Sequence, residues 1–219
     1  MRAPVAAILM LAAFAQAQDA PLGSEAWRTG VRERVARSLQ DLSSEEFDRR
    51  DAASRSLLAL AEVCEADLDA ALERSTDAEA TARLQAMIDA RARVHDFVVR
   101  SLLPEEPFES RNDAPPPVPA GWAEAVLTHR LVLRGVVWGE VTEGRIAALL
   151  RDARPDLARD ALVLRLSDPS TPVRAGACWM LGELGLREAA PILRERLRDP
   201  KRSVRTWAAR ALFRILDAE

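Results

Sequence analysis

Apolar residues recur every three or four positions along most of this chain, which is the spacing of one face of an α-helix. Trp27, Val31, Val35 and Leu39 follow one another at four-residue intervals and predict a helix over residues 24–42. Similar stripes predict three further helices, over residues 47–61, 66–74 and 77–103. The N-terminal region, residues 18–103, is therefore predicted to be helical.

The clearest pattern lies near the C-terminus, where the sequence repeats itself at a spacing of 31 residues. Seven residue pairs are identical in one register: Leu166/Leu197, Asp168/Asp199, Pro169/Pro200, Val173/Val204, Arg174/Arg205, Ala177/Ala208 and Leu181/Leu212. Periods of this length are typical of stacked helical units that cannot bury their apolar faces alone. The pattern predicts an all-α fold, an α-solenoid of paired antiparallel helices that follows the N-terminal helical region.

The pattern L-x-D-P-x-x-x-V-R-x-x-A-x-x-x-L, followed by Gly182-Glu183-Leu184-Gly185, resembles the short HEAT repeat. It is the variant also found in phycobilisome-lyase-type HEAT proteins. The resemblance covers residues 121–219 and is strongest from residue 167 onward. Residues 47–90 resemble HEAT units weakly, because they lack the Asp-Pro and Val-Arg pairs. The resemblance implies paired helices that bind proteins, and it does not imply catalysis.

Arg174 and Arg205 each follow an apolar valine at the start of a predicted helix, where the helix dipole disfavours a cation. The resemblance implies a structural role for them, a ladder in which such arginines pair with the loop aspartates, here Asp168 and Asp199. Gly185 stands where a helix end needs a left-handed residue.

Residues 1–17 have the pattern of a secretory signal peptide. Arg2 precedes an apolar run, and Ala15-Gln16-Ala17 matches a cleavage site with two small residues. The apolar run is too short to span a bilayer as a helix of the mature protein. We therefore expect an exported protein whose mature form begins at Gln18. An uncleaved N-terminal anchor is the alternative.

Composition and charge narrow the expected location and partners. Lys201 is the only lysine among 31 basic residues, which suggests a GC-rich bacterial coding sequence. This favours the periplasm, the cell envelope or the extracellular space of a bacterium. The most apolar later stretch, residues 122–141, contains His129, Arg130 and Arg134, so no membrane span is expected in the mature chain. The modest basic surplus of the C-terminal third is not a nucleic-acid signature.

Residues 104–120 form a proline-rich boundary, with prolines at positions 104, 107, 115, 116, 117 and 119. Such a stretch favours extended polyproline and separates the elements that flank it. It is either a linker between two domains or a long loop that crosses one continuous solenoid. The predicted HEAT-repeat domain follows it, over residues 121–219.

The residue types that carry most enzyme chemistry are sparse and scattered. Cys64, His95, His129 and Cys178 are 31 or more residues apart, whereas local metal sites use pairs two to five residues apart. We expect His95 to be a half-buried histidine rather than a ligand. We expect no catalytic, cofactor-binding or metal-binding residue and no cofactor, and the sequence leaves open whether the two cysteines pair.

A candidate partner-binding face emerges when the repeat units are aligned by their period. Val163 and Leu164 align with Arg194 and Glu195, and Arg198 aligns with Ser167. Two aliphatic residues beside arginines suit a protein partner with acidic and apolar side chains. The alternative is that Val163 and Leu164 contact the N-terminal region.

The last predicted helix, over residues 203–216, adds Phe213 and Leu216 to this candidate face. Both point away from the stripe that the preceding unit can bury, so we expect a docked partner or self-association there. The predicted function is an exported, non-catalytic scaffold for protein–protein interaction. The alternative is a HEAT-like lyase or enzyme-maturation factor.

Overall fold

The computed structural model describes residues 20–103, 118–119, 121–138 and 143–217 of the 219. The predicted signal peptide and most of the proline-rich segment lie outside the described residues. The described part is built from helices that pack against one another. Its α-helices are α1 (Glu25–Asp41), α2 (Phe47–Leu60), α3 (Glu65–Arg74), α4 (Ala78–Phe97), α5 (Ala123–Thr128), α6 (Arg130–Trp138), α7 (Glu143–Asp152), α8 (Pro155–Arg165), α9 (Thr171–Glu183), α10 (Ala190–Arg196) and α11 (Arg202–Leu216).

The C-terminal helices form two layers. In the first layer α9 lies between α6 and α11 and packs extensively against both. The second layer contains α8 and α10, which pack against α9 and α11 respectively. This arrangement confirms the predicted all-α solenoid. The apolar stripe of the repeat is its core, because Val173, Ala177, Leu181, Val204 and Ala208 are all buried.

Two glycines of α9 set the spacing of the first layer. A Cβ atom at Gly176 would lie 2.0 Å from the Leu133 carbonyl oxygen of α6, and one at Gly182 would lie 2.8 Å from the Ala211 Cα of α11. The backbones of α6, α9 and α11 therefore approach more closely than side chains would permit.

The end of α9 has the predicted glycine cap. Gly185 has a φ of +63°. Its N–H donates to the Gly182 carbonyl, and the Leu186 N–H donates to the Leu181 carbonyl. These two bonds form a Schellman motif, which satisfies helix-end carbonyls and turns the chain toward α10.

The N-terminal helices share a core with the solenoid. One apolar cluster runs from Trp27 and Val31 of α1, through Val98 and Leu102, to Ile215 of α11. Helix α2 packs against α1 and also against α5 and α8. The helices on the two sides of the proline-rich segment thus bury one another.

The predicted helix over residues 77–103 is present with a change of pitch. It begins at Ala78, capped by the Asp77 side chain, and passes into a π-helical turn at Val98–Leu102. Val98 and Leu102 are fully buried there.

Within the described ranges, no helix combines the length and apolar character needed to cross a membrane.

Candidate functional site

The predicted ladder is present between Arg174 and Asp199. The Arg174 Nε and Nη2 atoms donate to the two Asp199 carboxylate oxygens at 3.0 and 3.2 Å. Both side chains are largely buried, at 13% and 4% exposed. Burial alone would raise the pKa of Asp199, but the bonds from Arg174 and from the Lys201 backbone N–H lower it overall.

Arg174 and Arg205 also show how a cation is tolerated at the start of a helix. Arg174 Nη1 donates to the Asp168 and Pro169 carbonyls at 2.9 and 3.1 Å. Arg205 Nη1 repeats this with the Asp199 and Pro200 carbonyls at 2.8 and 3.0 Å. Each arginine therefore binds the loop that precedes its own helix. This compensates for the unfavourable helix dipole.

The carboxylate of Asp168 has different partners from those that the ladder implied. It pairs with Arg130 of α6 at 3.2 Å and with Arg165 of α8 at 3.4 Å. Arg130 therefore pairs with Asp168 as Arg174 pairs with Asp199 one repeat unit later. The 31-residue repeat does not predict this role of Arg130, because α7 lies between α6 and α8 and breaks the register.

The structure corrects one part of the predicted partner-binding face. Val163 is only 2% exposed, and Leu164 is half-buried against the apolar core. The turn at Gly23 approaches Val163 and Ile192, and Arg34 of α1 forms an ion pair with Asp160 of α8 at 2.6 Å. The N-terminal region therefore covers this side of α8, as the alternative expectation stated.

The remaining residues of that face divide between two helices. Arg194, Glu195 and Arg198 are exposed on and just after α10. Phe213 and Leu216 are 69% and 52% exposed on α11. Within the described part of the chain, Phe213 borders a groove that the α10 residues do not reach.

This groove, here called the α9–α11 groove, has a volume of about 700 Å³. It lies along the outer side of the two helices, where Gly182 brings their backbones together. Its main side chains are those of Trp179, Glu183, Trp207, Arg210, Phe213 and Arg214. Three aromatic rings and two guanidinium groups thus share one concave surface.

The two arginines of the groove differ in their partners. Arg214 forms an ion pair with the nearly buried Glu183 carboxylate at 2.5 Å. The Arg210 guanidinium lies over the Trp207 ring, 4.9 Å from its centroid, in a cation–π contact. No carboxylate of the described residues pairs with Arg210. Asp217 also lines the groove, which therefore contains two arginines and two carboxylates.

Residues 142–218 match the protein-family model described as HEAT repeats. This part of the chain is similar to HEAT repeats, and we call residues 142–218 the HEAT-repeat region after the family that they match. The match confirms the resemblance over the residues that form the ladder and the groove. A search of the curated proteins gives no match.

A second polar cluster joins the N-terminal helices to the HEAT-repeat region. Glu62, in the turn that follows α2, accepts hydrogen bonds from Arg165 of α8 and from the Arg130 backbone N–H. Its other oxygen lies 3.2 Å from His129 Nε2. His95 Nδ1 of α4 lies 3.2 Å from the same nitrogen. We call Glu62, His95, His129 and Arg165 the junction cluster.

The hydrogen bonds of His129 define its protonation state. The Leu131 backbone N–H donates to Nδ1 at 3.2 Å, so the neutral ring carries its proton on Nε2. That nitrogen then has no lone pair for a metal ion. Burial lowers the pKa of His129, and the neighbouring Glu62 carboxylate opposes this only in part. Among the described residues, no group of histidine, cysteine and carboxylate side chains has the arrangement of a metal site.

The sequence does not indicate that His95 and His129 are in contact, because 34 residues separate them. His129 is buried, and His95 is exposed rather than half-buried. Both cysteines are unpaired and buried, and burial raises the thiol pKa to about 11 for Cys64 and about 12 for Cys178. Helix packing brings the histidines together, and no local sequence signal marks that contact.

Proposed function

We propose that this chain is an exported, non-catalytic scaffold that binds a protein partner in the α9–α11 groove. HEAT repeats commonly mediate protein–protein interactions, and residues 142–218 carry them. The observation that supports the groove is the exposure of Phe213 beside two tryptophans in a concavity of about 700 Å³. Exposed aromatic residues in a groove are typical of binding surfaces.

The chemistry of the groove defines the kind of partner. Arg210 contributes a positive charge above the Trp207 ring, and Arg214 contributes one that is shared with Glu183. Trp179, Trp207 and Phe213 contribute apolar area. A segment that combines an aromatic or aliphatic side chain with carboxylates would satisfy both features.

Export is the second part of the proposal. Its support is the pattern of Arg2, the apolar run and the small residues Ala15 and Ala17, which is typical of a cleaved signal peptide. Mass spectrometry of the protein purified from a bacterial envelope fraction should identify Gln18 as the N-terminal residue. A chain that retains Met1 would contradict cleavage at Ala17.

The binding proposal is tested by quantitative capture from an envelope extract. The wild-type chain is compared with a groove variant, Arg210→Glu with Phe213→Ser. A control variant carries Arg93→Glu and Trp138→Ser, which also change an exposed arginine and an exposed aromatic residue. Any partner of the groove should be retained by the wild type and the control and be at least tenfold depleted on the groove variant.

Equal recovery on all three proteins would contradict the proposal that the groove is the binding site. Folding of each variant is checked by its melting temperature. All four substituted side chains are exposed, so the variants should melt within a few degrees of the wild type.

A further inference from the structure

The turn between α10 and α11 carries a cluster of cations around one aliphatic side chain. Leu197 and Arg198 follow α10, Lys201 precedes α11, and Arg202 is the first residue of that helix. All four side chains are exposed, Leu197 at 40%. Arg205, one turn further along α11, is half-buried. We call these five residues the basic tip.

The charge of the basic tip has a single sign. Asp199 is the only carboxylate from the start of the tip to the end of α11, and it is buried against Arg174. The nearest exposed carboxylate along the chain, Glu195, pairs with Arg196 at 4.0 Å. In the described part of the chain, none of the four cations of the tip forms an ion pair. The tip therefore keeps their positive charge.

The neighbouring turn, between α8 and α9, does not oppose this charge. The two turns are adjacent, since Arg196 Nη1 donates to the Leu166 carbonyl at 3.2 Å. The carboxylate of the α8–α9 turn, Asp168, is itself buried between Arg130 and Arg165. The edge of the repeat that carries both turns therefore has an excess of cations.

The stability of the fold does not explain the composition of the tip. A cation at the start of a helix is disfavoured by the helix dipole. Arg205 compensates by binding two loop carbonyls, whereas the side chains of Lys201 and Arg202 form no hydrogen bond within the described ranges. Leu197 is also unusual, because its equivalent one repeat earlier, Leu166, is only 1% exposed. These side chains are available for contact with another surface.

We propose that the basic tip binds the anionic headgroups of a lipid bilayer. In this contact the four cations lie against headgroup phosphates, and Leu197 enters the boundary between headgroups and acyl chains. Basic side chains around an exposed aliphatic residue are typical of peripheral contact with an anionic membrane surface. The whole chain has a net charge of −3, so its attraction to such a surface depends on a local patch.

This contact goes beyond the proposed function and leaves the α9–α11 groove free. Arg202 and Phe213 are separated by about 16 Å along the axis of α11, at about 1.5 Å per residue. The tip is at the start of the helix, whereas Phe213 is near its end. The chain can therefore bind a bilayer and a protein partner at the same time.

Lys201 provides a direct probe of the contact. It is the only lysine, so an acetylating reagent modifies this side chain and the N-terminal amine alone. The protein used is residues 18–219, which contains every described helix, because the apolar residues 1–17 would bind vesicles by themselves. It is mixed with vesicles of phosphatidylcholine, or of phosphatidylcholine with about 30% phosphatidylglycerol. Co-sedimentation measures binding, and mass spectrometry measures the rate of acetylation.

The vesicles with phosphatidylglycerol should bind the chain and slow acetylation of Lys201 about fivefold or more relative to the N-terminal amine, while phosphatidylcholine alone should do neither. Binding should weaken about tenfold when the ionic strength rises from about 0.05 to 0.5 M. Leu197→Ser should weaken it about threefold.

A tip variant and a control variant of equal net charge test the position of the contact. Arg198→Glu with Arg202→Glu should weaken binding at least about twentyfold, since each cation near the surface contributes about fivefold. The control, Arg93→Glu with Arg151→Glu, changes two exposed arginines of α4 and α7 and should bind within about twofold of the wild type. Melting temperatures verify that each variant is folded.

Absence of binding to the vesicles with phosphatidylglycerol overturns the inference, and so does equal binding of the tip and control variants. If soluble polyglutamate or free phosphate at constant ionic strength protects Lys201 and the vesicles do not, the ligand is an acidic polypeptide or phosphate and the inference is wrong. The capture experiment with the groove variant decides the proposed function separately, because it leaves the tip intact.

Discussion

Nδ1 of His95 lies 3.2 Å from Nε2 of His129, although His95 is in α4 and His129 lies between α5 and α6, 34 positions further along the chain. Their rings are 5.3 Å apart between centroids. His129 is buried beside Arg165 and Arg130, whose carboxylate partners are Glu62 and Asp168. The junction between the N-terminal helices and the HEAT-repeat region therefore contains a buried neutral imidazole among charged side chains.

The first prediction concerns the pH dependence of stability. The pKa of His129 is lowered in the folded chain, mainly by burial, below the value of about 6.5 in the unfolded chain. As the pH falls below about 6.5 the unfolded state binds the proton first, so the free energy of unfolding decreases, by up to about 1.4 kcal/mol per pH unit. Above about pH 6.5 this contribution is constant. Urea unfolding at pH 7.5, 6.5 and 5.5 measures the effect.

The control for this prediction is His129→Asn. Its side-chain oxygen can accept the Leu131 N–H in place of Nδ1, and it does not titrate. The variant should be less stable than the wild type at pH 7.5 by about 1–3 kcal/mol, and its stability should change less between pH 6.5 and 5.5. An identical pH profile in both proteins would show that another group is responsible.

The second prediction concerns the ladder. Arg174→Ala removes the partner of a buried carboxylate and two bonds to the Asp168–Pro169 loop. It should lower the free energy of unfolding by about 2–4 kcal/mol, because Asp199 is left buried without its counter-charge. Arg194→Ala, at an exposed position of α10, should change it by less than about 0.5 kcal/mol. Equal effects of the two substitutions would mean that the ladder contributes nothing to stability.

The third prediction compares two glycine substitutions. Gly176→Ala places a Cβ against the backbone of Leu133, which cannot move as a side chain can. The clash should exceed the roughly 1 kcal/mol that alanine gains over glycine within a helix, giving a net loss of about 2 kcal/mol or more. Gly185→Ala meets open space and should lose only about 1 kcal/mol, from its positive φ. The reverse order in denaturant unfolding would contradict the packing of α6 on α9.

Much of the fold could be predicted from sequence because its signals are local. The four-residue stripes located α1 to α4 within a few residues, and the 31-residue repeat located α9 and α11. The ladder of arginines and aspartates was implied by the resemblance to HEAT repeats. What could not be predicted depends on packing between distant segments. The sequence around Val163 would be the same whether α1 or solvent covered its side chain. The burial of Val163 could therefore not be predicted from local sequence. The pairing of Arg130 with Asp168 could not be predicted, because α7 lies between them in the chain and Arg130 is therefore out of register with the 31-residue repeat.

The central claim is that the apolar side chains on the outer side of α11 are a binding surface and not part of the core. Its most direct test is the free energy of unfolding of the double variant Phe213→Ser/Leu216→Ser, measured at a low concentration where association is absent. Leu181→Asp serves as the core control, since Leu181 is fully buried on the repeat stripe and should lose several kcal/mol.

The account predicts that the double variant unfolds within about 0.5 kcal/mol of the wild type, as expected for exposed positions. A loss of about 2 kcal/mol or more, approaching that of Leu181→Asp, would place Phe213 and Leu216 in the core and contradict the claim.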